Sequence, residues 1–173
     1  STEAARYFAR QLDVWVVHNG GIDQELKDLA LEAEAEMWTY DCEHRDTNPT
    51  FNRFYPGLYT WALDLRGNFL WCYTNYEFYS WEKDRYSSFN YVLASDAGPV
   101  SSVGWETRRE GIKDYRYLRP LEQRLAEDPN SPAAATARTW LAQLTSRVRW
   151  NTHADRPGPS ERWDERDLYT QCP

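Results

Sequence analysis

The chain has 173 residues, 16% of them aromatic, and sets 20 Lys+Arg against 27 Asp+Glu for a net charge of -7. That length supports one domain with a sizeable core but falls short of the roughly 250 residues of a closed eight-stranded α/β barrel. The acidic balance argues against nucleic acid, whose phosphates need clustered positive charge, and no apolar run approaches the ~20 residues of a membrane-spanning helix.

Residues Thr2 to Gln11 read as a helix, with Ala5, Phe8 and Leu12 about one turn apart. Asp13-Val14-Trp15-Val16-Val17 is a short apolar, β-branched strand ended by His18-Asn19-Gly20-Gly21. A second helix follows, with Ile22, Leu26, Leu29, Ala30 and Ala33 on one face and acids on the other. Met37 to Cys42 is the second strand. Asn48-Pro49 opens the next helical stretch, because proline suits the first helical position. Pro56-Gly57 is expected to break or restart it. Leu58, Trp61, Ala62 and Leu65 then form a helical stripe, with Gly67 at the terminating position. Phe69 to Thr74 makes the third strand. Residues 75–99 form a long aromatic and polar connection, of a length more often functional or elaborated than idle.

Ser101 or Ser102 caps the helix that follows, which Trp105, Ile112, Tyr115, Leu118, Leu121, Glu122 and Leu125 continue at three- and four-residue steps. Within it, Gly111 predicts close approach of a neighbouring backbone and Pro120 a kink or a break. Ser131 and Pro132 supply the N-cap and first position of a final helix running to about Trp150, with Ala137, Trp140, Leu141, Leu144 and Val148 inward. From Asn151 onward, with Pro157-Gly158-Pro159 inside it, the tail reads as extended and irregular. Alternating helices and short apolar strands imply parallel pairing. Three strands cannot close a barrel. The expected fold is therefore α/β, a partial (β/α) barrel over residues 1–150 with an open parallel sheet and C-terminal helices, then a tail over 151–173.

In parallel α/β folds, ligands bind beyond the C-terminal ends of the strands. Three patches qualify: His18 and Asn19 after the first strand; Tyr40, Asp41, Cys42, Glu43 and His44 at the second; and Trp71, Tyr73, Asn75, Tyr76 and Glu77 at the third, with Tyr79 and Trp81 further on. Aromatic faces stack on the C–H faces of sugar rings and offer a polar edge, although large rings also simply fill cores. His18 and Asn19 serve either a Gly-Gly turn or a ligand. Asp41 and Glu43 are candidates for acid and base, with Glu77 a third, since glycoside hydrolysis needs two carboxyls. Acids at strand ends are, however, commonly solvated or paired, and two residues apart on a strand they point to the same face. A metal shared by His18 and His44 with Asp41 or Glu43 lacks supporting spacing, and no metal or cofactor is expected. The three cysteines, Cys42, Cys72 and Cys172, leave at least one thiol unpaired within the chain. No serine elbow, phosphate-cradling glycine loop or Cys/His nucleophile pair is present.

Four stretches taken in order carry a family resemblance: Met37-Trp38-Thr39-Tyr40-Asp41-Cys42; Arg53…Gly57…Trp61; Gly67-Asn68-Phe69-Leu70-Trp71-Cys72-Tyr73; and Trp105-Glu106…Arg109-Glu110-Gly111-Ile112…Asp114-Tyr115…Tyr117-Leu118. From about Asp13 to Leu125 the chain resembles the C-terminal half of glycoside hydrolase family 123 and related barrel domains. The resemblance implies a (β/α)8 barrel acting on glycosides, with the strands here roughly its last three. It also implies action on N-acetylgalactosaminides, with the substrate's acetamido group as internal nucleophile and an adjacent Asp-Glu pair on an earlier strand. The sole adjacent Asp-Glu here, Asp164-Glu165, lies in the tail. The catalytic carboxylates are thus expected in N-terminal sequence beyond this chain. By the same analogy Tyr40, Trp71, Tyr73 and Asn75 face the sugar, and an extracytoplasmic location is favoured; His18, His44 and Trp81, from their strand-end patches, are further candidates for substrate binding. Glu106, Arg109 and Asp114 look structural: Glu106 pairs with Arg109, while Glu110 and Asp114 repel unless a cation such as Arg53 reaches them.

The leading expectation is a sugar-lining segment of a glycoside-hydrolase-like protein. A non-catalytic carbohydrate-binding module and a scaffold or assembly protein are the alternatives. The expected partners are a glycan or glycoside and either a second copy or the N-terminal remainder of the barrel, because an open sheet edge invites pairing.

Overall fold

The structure is a computed structural model that describes residues 2–18, 21–41, 49–74 and 91–148. Helix α1 (Thr2–Phe8) tightens into a 3-10 turn at Ala9–Gln11 and leads into strand β1 (Val14–His18). Helix α2 (Gln24–Glu32) follows, capped by Asp23, whose side chain accepts the Leu26 N–H at 2.8 Å. Strand β2 (Glu36–Asp41) leads on to helix α3 (Pro49–Phe54), with proline at the first helical position as its fixed φ favours. Pro56-Gly57 neither breaks nor restarts this helix. It widens it into a π-helical turn, Tyr55–Tyr59, that runs on into α4 (Thr60–Ala62).

Both α2 and α4 end on an acidic residue in the left-handed region. Glu34 has φ 55° and Asp64 φ 54°. Each turn is closed by a backbone bond across it, Ala35 N–H to the Ala30 carbonyl and Leu65 N–H to the Thr60 carbonyl, both 2.9 Å. Gly67 is therefore not the terminator of α4. It opens strand β3 (Gly67–Leu70), which starts and stops earlier than the expected Phe69–Thr74. A Cβ on Gly67 would lie 2.4 Å from the Trp38 ring, so the residue is small because that indole lies across it.

β1, β2 and β3 form one parallel sheet in sequence order, with Val16 beside Trp38 beside Gly67, and His18 beside Tyr40 beside Phe69. The sheet is open and not a closed barrel. Strands β4 (Val92–Leu93) and β5 (Val100–Ser101) form a small antiparallel pair. Helix α5 (Val103–Glu127) is capped by Ser102, which accepts the Trp105 N–H at 3.1 Å, and α6 (Pro132–Arg147) ends the described chain. Pro120 does not break α5. Both Pro120 and Arg116, whose carbonyl loses its helical donor, are exposed, so water can take that carbonyl.

Alternation along the strands divides the sheet. Trp15, Met37 and Thr39 are buried on one face, against Ile22 just ahead of α2, Leu26 and Ala30 within it, and the aromatic stretch Phe54 to Trp61. α3 and its π turn cross α5 at Gly57 and Gly111. A Cβ on Gly111 would meet the Arg53 carbonyl oxygen at 2.1 Å, and one on Gly57 would meet the Gly111 carbonyl oxygen at 2.7 Å. The expected close approach at Gly111 is thus present. At the same crossing Arg53 makes a two-pronged pair with Asp114, Nε to Oδ2 at 2.7 Å and a terminal nitrogen to Oδ1 at 2.8 Å. This is the cation that the Glu110–Asp114 spacing requires. Leu141 and Leu144 of α6 and Val148 just past its end are buried, whereas Trp140 stays 37% exposed at the rim rather than inward.

Candidate functional site

The opposite sheet face carries Val14, Val16 and His18 of β1, Glu36, Trp38 and Tyr40 of β2, and Gly67 and Phe69 of β3, and none of them is buried. Register alone brings His18 and Tyr40 together at the C-terminal ends of their strands. The rings meet edge-on, 5.1 Å apart at 78°. One step back along the strands, Trp38 lies over Gly67 and against Phe69, with centroids 5.3 Å apart. The Trp38 indole N–H donates to Glu36 at 2.9 Å. Glu36 is the one acid described on this face, and it sits at the N-terminal end of β2, away from the strand ends where chemistry is expected.

Past the end of β3 the chain carries Trp71 and Tyr73, 55% and 48% exposed. Tyr73 is anchored, edge-on to Trp105 of α5 at 5.2 Å, and its carbonyl accepts the Val92 N–H at 2.9 Å. Trp71 stands out into solvent. Between them lies Cys72, whose thiol pKa is pushed up by partial burial.

Beneath the sheet a buried polar layer fixes these elements. The Thr39 hydroxyl donates to the Val17 carbonyl at 3.0 Å, tying β2 to β1. Arg108 of α5, almost fully buried, donates to Asn68 Oδ1 of β3. The buried Tyr91 hydroxyl donates to Asn52 Oδ1 at 2.6 Å, tying the approach to β4 onto α3. An open groove of about 600 Å3 runs between α1 and β1, with Phe8, Leu12 and Val16 on its walls and His18 and Tyr40 at one end.

Of the residues that sequence reasoning picked out, His18 and Tyr40 are brought into contact, and Trp71 and Tyr73 lie beyond the end of the neighbouring strand. Asp41 ends β2, with its side chain outside what is described; Glu43, His44, Asn75, Glu77 and Trp81 lie outside the described residues, as do Cys42 and Cys172. Sequence reasoning missed Trp38 and Phe69 as residues of the open face, and Arg108, Asn68, Asn52 and Tyr91 as its polar support. The alternation Trp38-x-Tyr40 and Phe69-x-Trp71 signals a shared face, but the pairing of those faces comes from register alone.

Among the described residues no group of three His, Cys, Asp or Glu side chains is placed to hold a metal ion, and no helix is long and apolar enough to cross a membrane. No protein-family model matches the chain, and no curated protein is significantly similar to it.

Proposed function

We propose that this chain is the sugar-lining segment of a glycoside-hydrolase-like (β/α) barrel whose catalytic carboxylates are supplied by sequence N-terminal to it. The observation that carries this reading is the two-sided character of the sheet: helices on one face and an unburied aromatic face on the other. A barrel wall has this distribution, because its inner face meets the other strands and its outer face meets the helices. Two further features support a sugar ligand. The His18–Tyr40 pair and the exposed Trp71 stand at strand ends, and rings with polar edges suit a pyranose, whose faces are C–H and whose rim is hydroxyl. Glu36 at the wrong end of β2 gives this segment no described acid for bond cleavage.

The test is calorimetric titration with N-acetylgalactosamine and its oligosaccharides, alongside an aryl N-acetylgalactosaminide as a hydrolysis probe. Binding without turnover is expected, and Trp71→Ala should weaken it about five- to tenfold, the loss of ~1–1.4 kcal/mol of ring stacking. Turnover that survives replacement of every carboxylate in turn would leave the reading without a mechanism. No affinity for any sugar, with self-association in its place, would replace it with an assembly role.

A further inference from the structure

The aromatic edge that carries Trp71 and Tyr73 is held from outside the three-stranded sheet. Among the described residues, the pairing of β3 with β2 ends at Leu70 beside Asp41. The carbonyls of Cys72 and Tyr73 turn instead to the other side, where they accept the Tyr91 and Val92 N–H groups at 3.4 and 2.9 Å. Backbone polar groups that leave one ladder need another partner, and the start of β4 supplies it. The placement of Tyr73 therefore follows the placement of β4.

Tyr91, directly ahead of β4, decides where β4 lies. It is 1% exposed and bonds through three separate atoms. Its N–H donates to the Cys72 carbonyl, its carbonyl accepts the Ser102 N–H at the cap of α5 at 3.2 Å, and its hydroxyl donates to Asn52 Oδ1 of α3 at 2.6 Å. Asn52 is as deeply buried as Tyr91. Breaking a hydrogen bond between two such groups costs their desolvation, so it fixes the ring in one place. α3 and α5 are themselves locked together at the Gly57–Gly111 crossing and by the Arg53–Asp114 pair. The second hold on Tyr73 comes from the same body, since Trp105 of α5 meets its ring edge-on at 5.2 Å and 81°. Two anchors thus reach the aromatic edge from the helical layer, and neither passes through the β2–β3 ladder. The His18–Tyr40 pair, by contrast, is set by strand register.

We infer that Tyr91 is the positioning residue of the Trp71–Tyr73 edge: its buried hydroxyl, bonded to Asn52, holds Tyr73 where a ligand stacks, although it touches no ligand itself. A ring ordered in advance loses little entropy when a ligand stacks on it, so a loosened one binds more weakly. The inference rests on the sugar reading for what the edge binds, but the hold on Tyr73 is measured without any sugar.

The test uses the full 173-residue chain with Tyr91→Phe, which removes one hydroxyl and keeps the buried ring. Amide exchange at Val92 should quicken about tenfold, while the Arg66 amide, bonded to the Met37 carbonyl in the main sheet, keeps its rate. The Tyr73 ring protons, shifted by the Trp105 indole, should move in the NMR spectrum toward the positions of a free tyrosine. Calorimetric affinity for N-acetylgalactosamine oligosaccharides should fall about threefold or more. Trp105→Leu, at a half-buried position, should weaken binding by a similar factor with the Val92 amide still protected. Unchanged Val92 exchange and Tyr73 shifts in Tyr91→Phe overturn the inference, as does unchanged affinity where Trp71→Ala weakens binding. Protection lost at Arg66 together with Val92 also overturns it, because the hydroxyl then serves the whole fold. A parent chain that binds no sugar, with exchange and ring shifts responding as expected, overturns the sugar reading and upholds the hold of Tyr91 on Tyr73.

Discussion

Gly111 and Gly57 set how closely α5 lies on the π turn, and their effect is larger than the flexibility of glycine would imply. The atom that a Gly111 Cβ meets is a backbone carbonyl oxygen of Arg53, held in helix α3 and unable to swing away as a side chain could. Gly111→Ala should therefore lower stability by about 2 kcal/mol despite the ~1 kcal/mol that alanine gains in helix propensity; urea unfolding followed by circular dichroism measures it. Glu34 is the opposite case. It is exposed and holds φ 55° with no glycine to relieve it. Glu34→Gly should raise stability by about 0.5–1 kcal/mol, since an L side chain in that region costs roughly 1–2 kcal/mol and part of the gain is lost to chain entropy; a higher melting temperature is the expected readout. The Arg53–Asp114 pair, with side chains 41% and 21% exposed, is partly screened. A double-mutant cycle with Arg53→Gln and Asp114→Asn should return a coupling of about 1 kcal/mol.

At the scale of elements, the start of α5 joins the β4–β5 pair to the helical layer through charge. Glu106 in its first turn accepts from the Ser101 hydroxyl of β5 at 2.5 Å and from Arg109 at 2.6 Å. The hydrogen bond from Ser101 is the main cause holding its pKa below the ordinary 4.5; desolvation opposes it, and Arg109 and Lys113 add to the lowering. A carboxyl whose pKa is depressed by folding stabilises the fold above its unfolded value, and that contribution is lost as pH falls through the folded one. The melting temperature of the parent should therefore drop more steeply below about pH 4.5 than that of Glu106→Gln, with the two parallel at neutral pH. Other acids titrate in both proteins, so the difference between the curves isolates Glu106. The expected strand Phe69–Thr74 is instructive here. β3 stops at Leu70, yet Cys72 and Tyr73 still accept backbone bonds from Tyr91 and Val92, so the extended character of the sequence is used against β4 and not β2.

At the scale of the whole molecule, a three-stranded parallel sheet with one unburied apolar face is unusual, because parallel sheets are generally covered on both sides. Val16, Phe69 and Trp71 are each about half exposed. That much uncovered apolar surface should drive association. Sedimentation velocity across a concentration series should show a rising sedimentation coefficient for the parent, and a smaller rise for Phe69→Lys with no loss of melting temperature. A concentration-independent monomer would show instead that the face is satisfied within one chain.

Legible in the sequence were the alternation of elements, the helix starts at Pro49, at Ser101 or Ser102 and at Pro132, the tight contact at Gly111 and the need for a cation near Asp114. These are local facts: a cap, a missing N–H, a missing Cβ or a charge spacing acts within a turn or two, and residue identity suffices to read it. Tertiary structure decided the left-handed turns at Glu34 and Asp64, the role of Gly67 beneath the Trp38 ring, the pairing of His18 with Tyr40 and the burial of Arg108 against Asn68. Each of these depends on which strand lies beside which and in what register. A shift of one residue along β2 would send Trp38 and Tyr40 to the helical face and Met37 and Thr39 to solvent. Register is held by long-range packing of the buried face, which no single stretch of the sequence contains.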